Sequence, residues 1–177
     1  AGFAHVIEQL LLRPADLGPV ARERAARVWS HTADDHTSLC TTVLPSDLDL
    51  AVWIGARHLQ PPRLDAAALS LAQAGATAAW RSAAADPQRP LVGLVLGGSQ
   101  AFDPEALEQI ARLGSGDLDR LRAYLDAHYR PERAVIAITG DFDADAAMRA
   151  VHAELDGVTG TGDAAARVTP TPLVQSS

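Results

Sequence analysis

A two-layer α+β fold, with helices packed on one face of a mixed or antiparallel sheet, is the class this sequence predicts. Three observations carry that reading. Helix-period patterns fill about six segments of the chain, whereas strand patterns fill about two or three. At 177 residues the chain is long enough for one domain with a substantial core. A helical layer of that size normally covers a wider sheet, so further strands are expected upstream of Ala1 or from another chain. The chain also enters a helical pattern directly from Ala1 without an initiator Met, which fits a removed upstream piece.

Taken in order, residues 3 to 13 read as an amphipathic helix. Phe3, Val6, Ile7, Leu10 and Leu11 recur at three-to-four spacing and Pro14 stops the run. His5, Glu8 and Gln9 then lie one turn apart on neighbouring positions. The stretch "ADLGPVARERAARV" reads as a loop and a short helix, with "RERAAR" as a solvated face. "HTSLCTTVL" is the best strand of the first half, rich in Thr and closed by Pro45. Ser46 is placed to cap a helix running to about Gln60, and "PPRLD" separates it from an Ala-rich helix between Asp65 and Ala84.

"DPQRP" ends that helix, because two nearby prolines deny it backbone donors. An apolar run from Leu91 to Leu96 and a Gly-Gly loop follow, then helices near 104–112 and 117–128. "RAVIAITG" reads as a buried strand ending in a turn, and "DADAAMRAVHAEL" as a last helix begun by Asp143. Residues 1–157 form the expected domain. The small, polar, Pro-dotted stretch 158–177 reads as a linker or disordered tail.

Composition narrows the partners. A net charge of −7, with acidic residues spread along the chain, argues against nucleic acid and against an anionic membrane. No apolar stretch approaches a membrane span and no signal peptide is visible. Cys40 is the lone cysteine, which excludes an internal disulfide and a cysteine-based metal site and suits a reducing compartment. All 15 basic residues are Arg. That Lys-free composition reads as codon bias and, with the rest, places the chain in a bacterial cytoplasm.

The chemistry-bearing candidates are few. His-x-x-Glu on a helix, here His5 and Glu8, is more often a satisfied pair than a ligand set when it stands alone. "HTADDH" brings His31, Asp34, Asp35 and His36 together, but Asp and Thr entering a strand usually supply turn and capping bonds. His58, His128 and His152 fall on expected polar helix faces. "LGGSQ" lacks the lysine of a phosphate-binding loop.

The order of the segments changes the weight of the His-x-x-Glu helix. "GFAHVIEQLLL" resembles the Gly-x-Ala-His-x-x-Glu-His helix of the pitrilysin/insulinase/mitochondrial-processing-peptidase family, matching at Gly2, Ala4, His5 and Glu8. "WSHTADDHTSL" is similar to the family's edge strand at Thr32, Asp35 and Thr37, and "LPSDLDLAVWIGARHLQPPRLD" to the helix and proline turn that follow. "YLDAHYRPERAVIAITGDFD" is similar to the family's Tyr-x-Pro-x-x-Ala strand ending in Gly-Asp-Phe. The resemblance implies a degenerate domain of the N-terminal type, with the processing-peptidase fold.

It also implies roles. In such peptidases two histidines of the motif and a later glutamate hold zinc, and the motif glutamate is the general base. Carried over, the first ligand is His5 and the base is Glu8, now vestigial. The second ligand falls on Gln9 and the third near Ala79. A catalytic zinc needs three protein ligands of imidazole or charged-oxygen type, whereas Gln9 offers a neutral amide oxygen. Between Asp65 and Asp86 the interior holds no Glu, His, Cys or Asp. Losing even one partner of a ligand typically costs about 10–100-fold in affinity, so the site is expected to be empty and no cofactor is expected. Trp29 stands where the family has an asparagine near the scissile carbonyl, and Leu39 replaces an aromatic.

The expected function is therefore that of a non-catalytic subunit or half, inactive by itself. It would pair with an active or complementary pitrilysin-like subunit in a heterodimer, and help enclose an extended peptide along an edge formed by His31, Thr32 and Ala33. Two alternatives stay open: an active zinc endopeptidase with atypical ligands, and a structural scaffold without peptide binding.

Overall fold

The computed structural model describes residues 2–14, 17–33, 35–85 and 104–158. The apolar run 91–96, the Gly-Gly loop and the stretch beyond 158 lie outside the described residues.

The chain opens with α1 (Gly2–Leu12) and α2 (Leu17–Glu23), continues through an antiparallel hairpin of β1 (Arg27–Thr32) and β2 (Thr37–Thr42), and enters α3 (Leu48–His58) by a 3₁₀ turn over Pro45–Asp47. Then come α4 (Ala66–Ala84), α5 (Pro104–Arg112), α6 (Leu118–His128) and α7 (Ala144–Leu155). The α+β class is thus borne out, with helices against one face of an antiparallel pair. β1 alternates exposed and half-buried residues along its length, the mark of a strand with one covered face.

α1 is the central helix. Val6, Ile7, Leu10 and Leu11 meet Leu69, Ala72 and Ala76 of α4, Ile110 of α5, and Leu121 and Leu125 of α6 in one buried cluster. Each such aliphatic side chain contributes roughly 1.5–3 kcal/mol on full burial, so the motif helix is held from three sides. Gly2 lets α1 sit close to α5, since a Cβ there would lie 3.0 Å from that of Gln109, a tight contact. A second cluster joins Leu17 and Ala21 of α2 to Leu50 and Ile54 of α3 beneath Val28 and Val43. α7 packs on α3.

Local chemistry explains most ends. Asp65 accepts from the Ala68 amide at 2.8 Å and Asp143 from the Ala146 amide at 2.7 Å, each capping the helix that follows. α2 ends with Ala25 in the left-handed region at φ 52°, while the Ala26 amide reaches back to the Ala21 carbonyl at 2.8 Å, a Schellman-type stop.

Four expectations are corrected. Ser46 caps nothing: it sits inside the 3₁₀ turn, and α3 begins at Leu48, preceded by Asp47, which makes no side-chain cap. The Arg-rich stretch is not purely a solvated face, because the Arg24 guanidinium pairs with buried Asp47 and so ties the end of α2 to the start of α3. His58 is buried rather than on a polar face, because α3 is covered on one side by the sheet and on another by α7. Residues 134–139 form no ladder and are largely exposed, with Val135 at 92% and Ile136 at 43%. An apolar run is buried as a strand only when a neighbouring strand accepts its backbone, and the described residues supply none.

Candidate functional site

The sequence motif lies on the face of α1 that meets β1 and α4. Glu8 and Gln9 are buried, and His5 is half-buried. Because α1 carries Glu8 beneath the hairpin, the carboxylate meets side chains that alternate along the covered face of β1. The Ser30 hydroxyl donates to Glu8 Oε1 at 2.6 Å, and the Thr32 hydroxyl donates to Oε2. His5 Nδ1 stands 3.7 Å from Oε2, too long for a hydrogen bond but close enough for attraction.

The network extends further and has a direction. Thr32 Oγ1 lies 3.2 Å from Thr37 Oγ1, which lies 2.9 Å from the Tyr129 hydroxyl. A hydroxyl has one proton to give. Since an ionised Glu8 can only accept, Thr32 gives its proton to Glu8, Thr37 gives to Thr32, and Tyr129 gives to Thr37. Four elements of the chain are thereby strung onto one carboxylate.

The electrostatics follow. Burial works against a charged Glu8, but the nearby His5 and the hydroxyls of Ser30 and Thr32 outweigh it and hold the carboxyl below its ordinary value. Tyr129 moves the opposite way, raised chiefly by burial, with the Glu8 charge adding to the shift, so its phenol stays protonated as a donor.

The rest of the motif is occupied by packing. The His5 ring meets the Trp80 indole edge to face at 4.9 Å between centroids. Gln9 lies over Gly75, so closely that a Cβ on residue 75 would stand 2.5 Å from its Oε1. Ala79, where the resemblance puts a third ligand, is exposed on the same helix. The donor set does not fit zinc: one imidazole, one neutral amide and a carboxylate already engaged by two hydroxyls fall short of the charged or imidazole triad such an ion requires. Among the described residues no three His, Cys, Asp or Glu side chains converge as a metal site.

His31 and Thr32 end β1, and Ala33 closes the hairpin, its amide donating to the His36 carbonyl at 2.8 Å. His36 pairs with Asp35 at 2.7 Å on the exposed turn, and Asp34 lies outside the described residues. Sequence reasoning missed Ser30, Thr37 and Tyr129 as members of the Glu8 network. A signal was present, in that Ser30 and Thr32 alternate at strand spacing within the segment that resembles an edge strand.

Residues 117–176 match the family model described as the peptidase M16 inactive domain. Over those residues the chain is similar to that family's inactive domain. The match starts just before α6, covers the Tyr129 segment, residues 134–139 and α7, and runs on into the stretch that composition reads as a linker. It does not include the His5–Gln9 helix, so the degenerate pitrilysin-like motif and the inactive-domain match are separate observations. No curated protein matches the chain.

Proposed function

We propose that this chain is a non-catalytic pitrilysin-like subunit that pairs with an active or complementary subunit and helps hold an extended peptide. The observation that carries the first part is the fate of Glu8. A general base must present a free carboxylate oxygen to a water on a metal, whereas both Glu8 oxygens accept from Ser30 and Thr32. The side chain that would do chemistry instead fastens α1 to the hairpin.

The peptide edge is supported by ladder parity. The Ala33 amide bonds to His36, and their register sum is that of the β1–β2 pairs. Residues 27, 29, 31 and 33 therefore turn their backbone groups toward β2, and Val28, Ser30 and Thr32 turn theirs outward. Of the three residues expected at the edge, Thr32 offers its backbone to an added strand, as β-augmentation requires.

Calorimetric titration of extended peptides into the chain, alone and combined with a catalytic pitrilysin-type subunit, tests this reading. Saturable binding that falls about tenfold in Val28→Pro, which deletes one outward N–H while sparing the β2 ladder, is expected. Silence in both arms would favour a structural scaffold. No helix among the described residues is long and apolar enough to cross a membrane.

A further inference from the structure

The end of α1, the outer side of α2 and Val28 of β1 enclose an apolar groove of about 350 Å³. Leu17 and Ala21 are buried at its base, Pro14 and Val28 are half-buried along its walls, and Arg13 and Gly18 are exposed at its rim. A Cβ built on Gly18 would meet nothing nearer than the Arg22 guanidinium, at 3.9 Å, so the rim stands open there. Ligand pockets run from roughly 300 to 1,000 Å³, which leaves room here for one large apolar side chain. The position of the groove says where that side chain comes from. α1 packs chiefly under β1 and α3 under β2, and the groove takes Val28 as a wall but nothing from β2 or α3. It therefore opens on the side of β1 away from β2, the side to which Val28 turns its backbone N–H and C=O. Further strands of the same sheet have the other edge of the hairpin to pair with, where Thr37, Leu39 and Thr41 turn theirs outward.

We propose that this groove is a specificity pocket of the peptide edge, taking a large apolar side chain from the residue of an added antiparallel strand that lies opposite Val28. The proposal rests on the peptide-binding reading above and adds to it the class of sequence recognised. Directly opposed residues of antiparallel strands carry their side chains on the same face. The residue opposite Val28 thus sends its side chain to the covered face, beside Val28 and into the groove, while its immediate neighbours point to the open face. Two residues towards the peptide N-terminus, the next side chain on the covered face lies opposite Ser30, beside the Glu8 carboxylate that Ser30 holds. An acidic residue is disfavoured there by like charge. Arg13, at the rim and in no ion pair among the described residues, attracts one. The acid therefore belongs two residues towards the peptide C-terminus, and the recognised pattern is a large apolar residue followed two positions later by Asp or Glu.

The test is fluorescence anisotropy of labelled peptides titrated with the whole chain. The host is a soluble extended peptide of alternating Thr and Gln with Phe or Ala at its centre. The Phe peptide is expected to bind roughly tenfold more tightly, as part of an aromatic side chain leaves water. Asp two residues after the Phe should bind about threefold more tightly than Arg at that position, and Arg13→Glu should reverse the order. In Gly18→Trp, which fills the groove from its open rim, the preference for Phe should vanish while the Ala peptide binds as before. Circular dichroism confirms that each variant is folded, and the comparison of peptides on the parent chain needs no variant. Equal binding of the Phe and Ala peptides leaves the peptide edge standing and overturns the pocket. So does a preference for Phe that survives Gly18→Trp. Binding of neither peptide to the parent chain refutes the edge itself, and the pocket with it.

Discussion

Glu8 is the residue on which four parts of the chain converge, and its surroundings make it an anchor. If the Tyr129→Thr37→Thr32→Glu8 series is directed as the proton count requires, Tyr129→Phe removes its only terminal donor. The expected cost is about 1 kcal/mol in the denaturant midpoint, and Glu8→Ala, which strands two hydroxyls, should cost about 1–3 kcal/mol. A variant Tyr129→Phe as stable as the parent would break the series. Glu8 also has a pH signature. Its folded value lies below its unfolded one, so its stabilisation is complete above the unfolded carboxylate range and fades as pH falls through the folded value. His58 acts at milder acidity. Burial lowers it to about 4 from 6.5, and its Nε2 is buried without a hydrogen-bond partner among the described residues. The unfolded chain therefore binds the extra proton first. Stability should be full above pH 6.5 and drop by roughly 3 kcal/mol in total as pH falls towards 4. Chemical unfolding across that window should show the slope, and His58→Leu should flatten it.

At the scale of elements, the clearest test is the end of α2. Ala25 holds φ 52°, a conformation that costs an L-residue with a Cβ roughly 1–2 kcal/mol and glycine almost nothing. Ala25→Gly should therefore raise stability by about 0.5–1 kcal/mol in thermal unfolding, after the entropy glycine adds to the unfolded chain is counted; a loss would contradict the Schellman assignment. Helices were readable in the sequence because their signals are local. Apolar spacing in α1, Asp65 and Asp143 as caps, and Pro14 as a stop all act within a turn or two. β1 was not readable from hydropathy alone, because "RVWSHT" alternates Arg, Trp and His on its open face against Val, Ser and Thr on its covered one, and hydroxyls facing a buried carboxylate look polar to any hydropathy pattern. The segment 134–139 fails in the reverse direction: its apolar pattern is strong, yet a strand needs a partner that no local signal can provide. His58 was misassigned because its burial depends on α7, nearly a hundred residues away in the chain.

On the scale of the whole molecule, the described residues form a helical layer on a hairpin, with the family match confined to residues 117–176 and the motif helix at the centre of the core. The candidate site was legible as a coordination argument, since the loss of a second imidazole at Gln9 and of any acid along α4 is written in the residues themselves. What occupies the motif side chains was not legible, because the Trp80 ring on His5, the Gly75 seat for Gln9 and the hydroxyls on Glu8 come together only through tertiary packing. The proposed non-catalytic role rests on these contacts holding the motif helix as a structural element. Its most direct test is calorimetric titration of the purified chain with zinc, read together with elemental analysis. No stoichiometric zinc uptake, and none regained or lost on Glu8→Gln, is the expected result. One tightly bound zinc per chain, displaced by His5→Ala and accompanied by chelator-sensitive peptide cleavage, would contradict it.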